Sequence, residues 1–263
     1  MKKFLLVSAC LLAITVKAQM IGGGTGQVSG NNSSQDFSGI RDIGYLNFSA
    51  ALPEGKFGQG PTTNNLLNMY NSTDGMGAQT GFGLDIGGIF YFRKLNLPKP
   101  LHIGIDVTYG SFTINSIDWS SLGIQNYIYN DFFSYLIKIG PVLTYSPNEN
   151  IYFDFCPKVG LGFSLPGGAY SNDAFYGDPG YVNITGTSAF SAKGSLGLNI
   201  RVYHIYLGME YLFGSTQYAM SKEYTDSNDN IQTYYFKGNT NTNLLLLKFG
   251  FYWNNKPARI NKK

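Results

Sequence analysis

Nine charged residues lie inside stretches that otherwise alternate glycine with large apolar side chains. They are Asp85, Asp106, Lys138, Asp154, Lys158, Lys193, Arg201, Glu210 and Lys248. Asp85 and Asp106 fall on the two arms of one hairpin-like stretch, where paired carboxylates could share a proton and do acid–base work. Counted from the nearest short turn, Asp85, Asp106, Lys138, Lys158, Lys193, Glu210 and Lys248 reach a similar depth. Asp154 and Arg201 sit lower. A mixed-sign belt of this kind fits two roles: a polar pathway or gate, or a network of ion pairs that fills an interior. The second is the expectation here, because the interior of a barrel of about eight strands is filled by its own side chains.

The remaining reactive groups do not build a catalytic centre. The two histidines, His102 and His204, both fall beside short turns, away from the long loops where a loop-side active site would form. Cys156 shares its strand face with Asp154 and Lys158 and has no histidine at its level, so it reads as a small filler. The segment from Asn172-Asp173 to Gly177-Asp178 offers oxygen ligands without the regular acidic spacing of a calcium loop. The glycines at 22–26 lack the Gly-Lys-Ser/Thr ending of a phosphate loop. The expectation is no enzyme, no cofactor and no metal.

The elements that must hold these charges have a period of two. In 81–93, Phe82, Leu84, Ile86, Phe90 and Phe92 share one face, opposite Gly81, Gly83, Asp85, Gly87, Ile89, Tyr91 and Arg93. In 101–110, Leu101, Ile103, Ile105, Val107 and Tyr109 oppose His102, Gly104, Asp106, Thr108 and Gly110. Such alternation gives a strand two chemically different sides. It recurs in 43–53, 132–145, 151–164, 190–202, from 205, and up to 253. That makes about eight strands. The connections alternate between short (94–100, 146–150, 203–204) and long (54–80, 114–131, 165–189, 216–243). The last long linker is expected to extend its two strands through 218–224 and 231–236, with a tip at 225–230. The fold class is all-β: a closed antiparallel transmembrane β-barrel of about eight strands, with short periplasmic turns and long extracellular loops.

Which face meets lipid follows from its chemistry. Glycines and charges make a poor apolar core, and Phe, Leu, Ile and Tyr in nearly every strand make a poor wet exterior. Turning the apolar face outward to lipid resolves both. Phe90, Phe92, Tyr145, Phe251 and Trp253 then form the turn-side aromatic girdle. Tyr109, Phe133, Phe163, Tyr211 and Phe213 form the loop-side one.

The totals agree. The 263 residues suffice for one large all-β domain; only 13% are charged, against about 25% in ordinary soluble domains. A net charge of +3 is too small and too scattered along the chain to imply a nucleic-acid partner, and none is expected. Residues 1–18 read as a signal peptide, with Lys2 and Lys3 before an apolar run and Val16-Lys17-Ala18 at the cleavage site. Val7-Ser8-Ala9-Cys10 offers a lipoprotein box as the alternative. Residues 19–39 read as a flexible periplasmic tail, 40–254 as the barrel and 255–263 as a basic tail. Loop aromatics (Trp119, Tyr127, Tyr129, Tyr170, Phe175, Tyr176, Tyr181) pack above the membrane or form a binding surface.

The signal ending in Lys17-Ala18-Gln19, the 45–52 strand running into Pro53-Glu54-Gly55-Lys56-Phe57-Gly58, and the repeated Gly-x-Gly-aromatic strands resemble the outer-membrane β-barrel families of Bacteroidota. The likeness spans nearly the whole mature chain. It implies a small eight-stranded barrel, often without an assigned activity, in families with structural, adhesive and secretion-associated members. It brings no catalytic residues. The expected function is a structural or surface-binding outer-membrane barrel whose lumen is filled by the charge network. The alternatives are a narrow pore for ions or small solutes, and an accessory component of a secretion or adhesion system. Partners would be outer-membrane lipid and other envelope proteins met through the loops.

Overall fold

The computed structural model describes residues 40–60, 75–92, 95, 97–98, 100–118, 131–148, 150–166, 169–171, 182–186, 189–225 and 230–254. The signal peptide, both tails, the acidic loop segment at 172–178, Arg93 and most of the loop aromatics lie outside them.

Twelve strands run in the order β1 (Ile43–Glu54), β2 (Gly81–Tyr91), β3 (Leu101–Ser116), β4 (Asp131–Asn148), β5 (Ile151–Leu165), β6 (Ala169–Ser171), β7 (Val182–Gly186), β8 (Ala189–Val202), β9 (Ile205–Phe213), β10 (Ser215–Thr225), β11 (Ile231–Asn241) and β12 (Asn243–Asn254). Eight of them close a ring. β5, β4, β3, β2, β1, β12, β9 and β8 pair in that order, each antiparallel to the next, and β8 pairs back to β5 from Ile151↔Val202 to Ser164↔Ala189. The molecule is thus a closed eight-stranded antiparallel β-barrel. Closure leaves no strand edge unpaired around the ring, which a wall in lipid requires.

The alternation read from the sequence is the alternation of the wall. Along β8, Phe190, Leu196, Leu198 and Ile200 are exposed, while Ser191, Lys193, Ser195, Asn199 and Arg201 are buried. The phase slips near the short-turn end of β4, between Tyr145 and Asn148, and in the middle of β3. Ile86 pairs with Gly110 and Gly87 with Thr108, so Tyr109 is an extra residue that neither neighbour matches. This bulge lets β3 continue to Ser116 with Phe112 and Ile114 outward and Thr113 and Asn115 inward.

The long-loop end is more ordered than a loop-only reading allows. The linker at 165–189 contains β6 and β7, and β7 pairs with β10. The linker at 114–131 begins as strand. A portion of the 54–80 linker folds back onto the barrel mouth: Met76 N donates to Lys56 O at 2.9 Å and Ala78 N to Phe57 O at 2.9 Å. Phe57 is buried against Phe132, ring centroids 4.9 Å apart and edge-on, and Met76 and Ile117 are buried beside this mouth. β10 and β11 extend the last two strands beyond the ring, as their sequence implied. At the other end, Tyr203-His204 forms a two-residue turn in which Tyr203 takes a left-handed backbone with φ 55°.

Glycine faces inward where a neighbour needs its space. The Tyr45 ring lies over Gly87, the Lys138 stem over Gly160 and the Asn199 amide over Gly208; a Cβ at Gly87 would overlap both the Tyr45 hydroxyl end and the Val107 carbonyl oxygen. Gly87→Ala should therefore lower stability by about 1–3 kcal/mol through overpacking. The check is an earlier heat-induced loss of the compact band on an unheated denaturing gel.

Candidate functional site in the barrel lumen

Inward-pointing side chains form three polar groups, stacked between the two ends of the barrel. The lowest lies near the short turns. Arg201 on β8 grips Asp154 on β5 with two bonds, Nε to Oδ2 at 2.7 Å and Nη2 to Oδ1 at 2.9 Å. The same Nη2 donates to the Tyr91 hydroxyl at 2.6 Å, and Thr144 donates to Asp154 Oδ1 at 2.6 Å. The guanidinium also lies over the rings of Tyr152 and Tyr252, at 4.6 and 5.3 Å. A planar fork, always charged, is the group that can meet a carboxylate and aromatic faces together. Ile43, Ile89, Val142, Cys156 and Tyr206 pack with Tyr45, Tyr91 and Tyr252 into one buried cluster around it. This end of the lumen holds a mixed aromatic and aliphatic core, where the sequence reading expected mainly glycine and charge.

The second group joins Lys158 on β5 to Asp106 on β3, Nζ to Oδ2 at 2.8 Å. The Tyr45 hydroxyl donates to Asp106 Oδ1 at 2.8 Å, and Lys158 also donates to Thr108 at 3.2 Å. The third is a square of two cations and two anions. Lys138 reaches Glu210 at 2.9 Å and Asp85 at 3.3 Å, and Lys248 binds the same two carboxylates. Four strands contribute one residue each. All four side chains are at least 96% buried. Buried ions at this density need partners on every side, since each unpaired charge there carries a desolvation cost of several kcal/mol.

Asp85 and Asp106 therefore do not share a proton: each is held by its own lysine partners. Eight of the nine charges fall into these three groups. Lys193 stands apart from them. It makes no ion pair among the described residues and bonds instead to Thr242, at the carbonyl oxygen (2.7 Å) and the hydroxyl. His102 and His204 lie at the short-turn end, His102 edge-on to Tyr91 at 6.4 Å and His204 against Tyr252 at 6.0 Å. Cys156 is a buried free thiol that accepts a bond from Asn199 Nδ2 at 3.5 Å. Among the described residues no group of three or more His, Cys, Asp or Glu is placed to hold a metal ion.

The tyrosines and threonines that complete the network were not singled out from the sequence. Tyr45, Tyr91, Thr108 and Thr144 were legible only as inward positions. Their usable signal was a hydroxyl residue on the same face as a charge, within one strand of it.

The outward face is apolar from rim to rim, with Val159 64%, Leu198 56% and Met209 50% exposed. On the loop side, Phe112, Tyr135, Phe133 and Phe163 form a continuous ring-to-ring band with centroids 4.9–6.3 Å apart. On the turn side Tyr145 meets Phe153 at 6.3 Å, and Phe249 meets Phe251 at 5.7 Å.

Among solved structures, the chain is similar to the outer membrane protein OprG from Pseudomonas aeruginosa. The likeness has 12% identity and a TM-score of 0.33, and covers 82% of this chain and 99% of that one. No protein-family model matches the chain, and no curated protein does.

Proposed function

We propose that this protein is an integral outer-membrane β-barrel whose lumen is filled, acting as a structural or surface-binding protein through its long-loop end. One observation carries the reading: the wall is inverted, with bulky apolar side chains exposed all round and nine charged side chains enclosed. In water such a surface would be a sticky patch far larger than soluble monomers expose; in lipid it is the expected exterior. Export by residues 1–18 and the likeness to Bacteroidota barrels belong to the same reading and rest on the sequence alone.

Two features favour a filled lumen over a narrow pore. Arg201, Tyr91 and the aliphatic cluster occupy the short-turn end. Phe57, Met76, Phe132 and inward Leu136, Leu212, Leu244 and Leu246 occupy the other. An ion crossing the barrel would have to push through the aromatic and aliphatic cluster at the short-turn end as well as three sets of ion pairs. In planar bilayers the purified protein should give no discrete single-channel steps. Regular steps from the wild-type chain, absent from empty bilayers, would replace this reading with the pore. Partners of the loop end, including a secretion or adhesion assembly, would be found by crosslinking in the intact envelope.

A further inference from the structure

The outward wall is not smooth where β10 leaves the ring. β10 shares one pair with β8, Thr216↔Ser191, before it turns to β7 at Met220↔Gly186. The departure begins at Gly214, whose φ is 138°. There the Gly214 N–H turns to the Asn243 side chain at 3.2 Å, and the Thr242 carbonyl is left to Lys193. Outward side chains along this seam are small. Ala192 on β8 and Ser215 and Ala219 on β10 line a notch of about 530 Å³, with Phe190 on one side and Gln217 and Lys237 on the other.

The notch changes character along its length, in the order of the parts of a lipid. In register, Phe112, Tyr135, Phe163 and Phe190 make one row across β3, β4, β5 and β8, at the level of the loop-side aromatic band. Gln217 stands next in that row, beside Phe190. Ala192 and Ser215 come two residues nearer the turns, and below them the Phe213 ring lies over Gly194. In the other direction Lys237 pairs with Ala219, two residues and roughly 7 Å further along the strand than Gln217. Small apolar floor, amide and ammonium thus follow one another outward from the hydrocarbon layer. Lys237 is exposed and makes no ion pair or hydrogen bond among the described residues. The first carboxylate on the same face of β10, Glu223, lies four residues beyond Ala219. An unpaired cation just above an aromatic band stands in the headgroup layer, where anionic lipid attracts it.

We propose that this notch holds one anionic, phosphate-bearing lipid of the leaflet on the long-loop side. Lys237 binds the phosphate. The Gln217 amide meets the polar linkages at the head of the chains, and one acyl chain runs past Phe190 over Ala192 and Ser215 toward Phe213. The inference rests on the reading of the wall as lipid-facing and adds to it one place where the lipid is selected by charge.

Tryptophan quenching by brominated lipid tests it on the full chain. Phe190→Trp puts a reporter at the lip of the notch, and Ile137→Trp puts one on the exposed wall of β4, away from it. Each variant is reconstituted in phosphatidylcholine containing a small fraction of one brominated-chain lipid, either phosphatidylglycerol or phosphatidylcholine, and the signal of the wild type is subtracted. At Phe190→Trp the phosphatidylglycerol should bind about fivefold better than the phosphatidylcholine, the scale of one lysine beside anionic lipid. At Ile137→Trp the two should quench alike. Lys237→Gln, a change at an exposed position, should bring the ratio at Phe190→Trp close to one. Equal quenching by the two lipids at Phe190→Trp would overturn the site, the notch then being filled by bulk lipid. A preference that survives Lys237→Gln would overturn it too. Absence of quenching by either lipid at both positions would overturn the lipid-facing wall itself, which keeps failure of the site distinct from failure of that reading.

Discussion

Glu210→Ala should destabilise the barrel by about 3–5 kcal/mol, the cost of breaking a buried ion pair from one side. The Glu210 carboxylate receives both Lys138 and Lys248. Without it, two ammonium groups compete for Asp85 alone, and one charge is left enclosed by a wall it cannot cross. Deleting the cation as well should return much of the loss. Lys138→Met with Glu210→Leu replaces an ion pair by apolar side chains of similar reach and leaves Lys248 paired to Asp85. Buried pairs exchanged whole in this way are often neutral. The measurement is urea unfolding in lipid vesicles, followed by tryptophan emission and by the mobility of the unheated band. A loss under about 1 kcal/mol for Glu210→Ala would mean that water reaches the square and screens it, as at exposed pairs. A double variant worse than the single would show that the four charges act through some role other than mutual neutralisation.

The wall was legible in the sequence because its signal is local. Phe153, Phe155, Val159 and Leu161 announce their side by alternation alone, and strand pairing then only has to keep the phase. The slip in β3 was not legible. Tyr109 differs in no way from an ordinary outward aromatic, and only the pairing of Gly110 to Ile86 and Thr108 to Gly87 marks it as extra. β6 and β7 were hidden because a stretch rich in Gly, Asn and Ser reads as loop, whereas their pairing partner, β10, supplies the template. Within the lumen, the sequence placed the charges on the inner face but could not pair them. Arg201 and Tyr91 meet across 110 residues, and Lys248 and Asp85 across 163. Such contacts depend on which side chains cross the bore, a distance that neighbouring-strand logic does not supply. Lys193 is the clearest case. By depth it belongs with the belt, and its place is set instead by the break at Gly214 that frees the Thr242 carbonyl.

Leu198→Arg tests the orientation of the wall itself. Leu198 lies four residues from the short-turn end of β8 and is more than half exposed; in register it faces Phe155 on β5 and Met209 on β9, both also exposed. An arginine there would stand within the hydrocarbon layer, where a lipid-facing cation costs up to about 2–4 kcal/mol. Gln217→Arg is the matched control. Gln217 is also outward and exposed, but lies on β10 in register with Phe190 and so level with the loop-side aromatic band, where the cost should fall to about 0–1 kcal/mol. Both variants keep the lumen untouched, which separates this test from the Glu210 series. The expected result is a gradient with depth in the folding free energy measured in vesicles, and no gradient when the same variants are unfolded from detergent micelles that adapt around a charge. If the surface around Leu198 faced water, both substitutions would fall within the roughly ±0.5 kcal/mol of ordinary surface changes. An equal, small effect at the two sites would therefore remove the membrane from the account of this barrel. A loss at Leu198 alone would fix the height at which the bilayer crosses it.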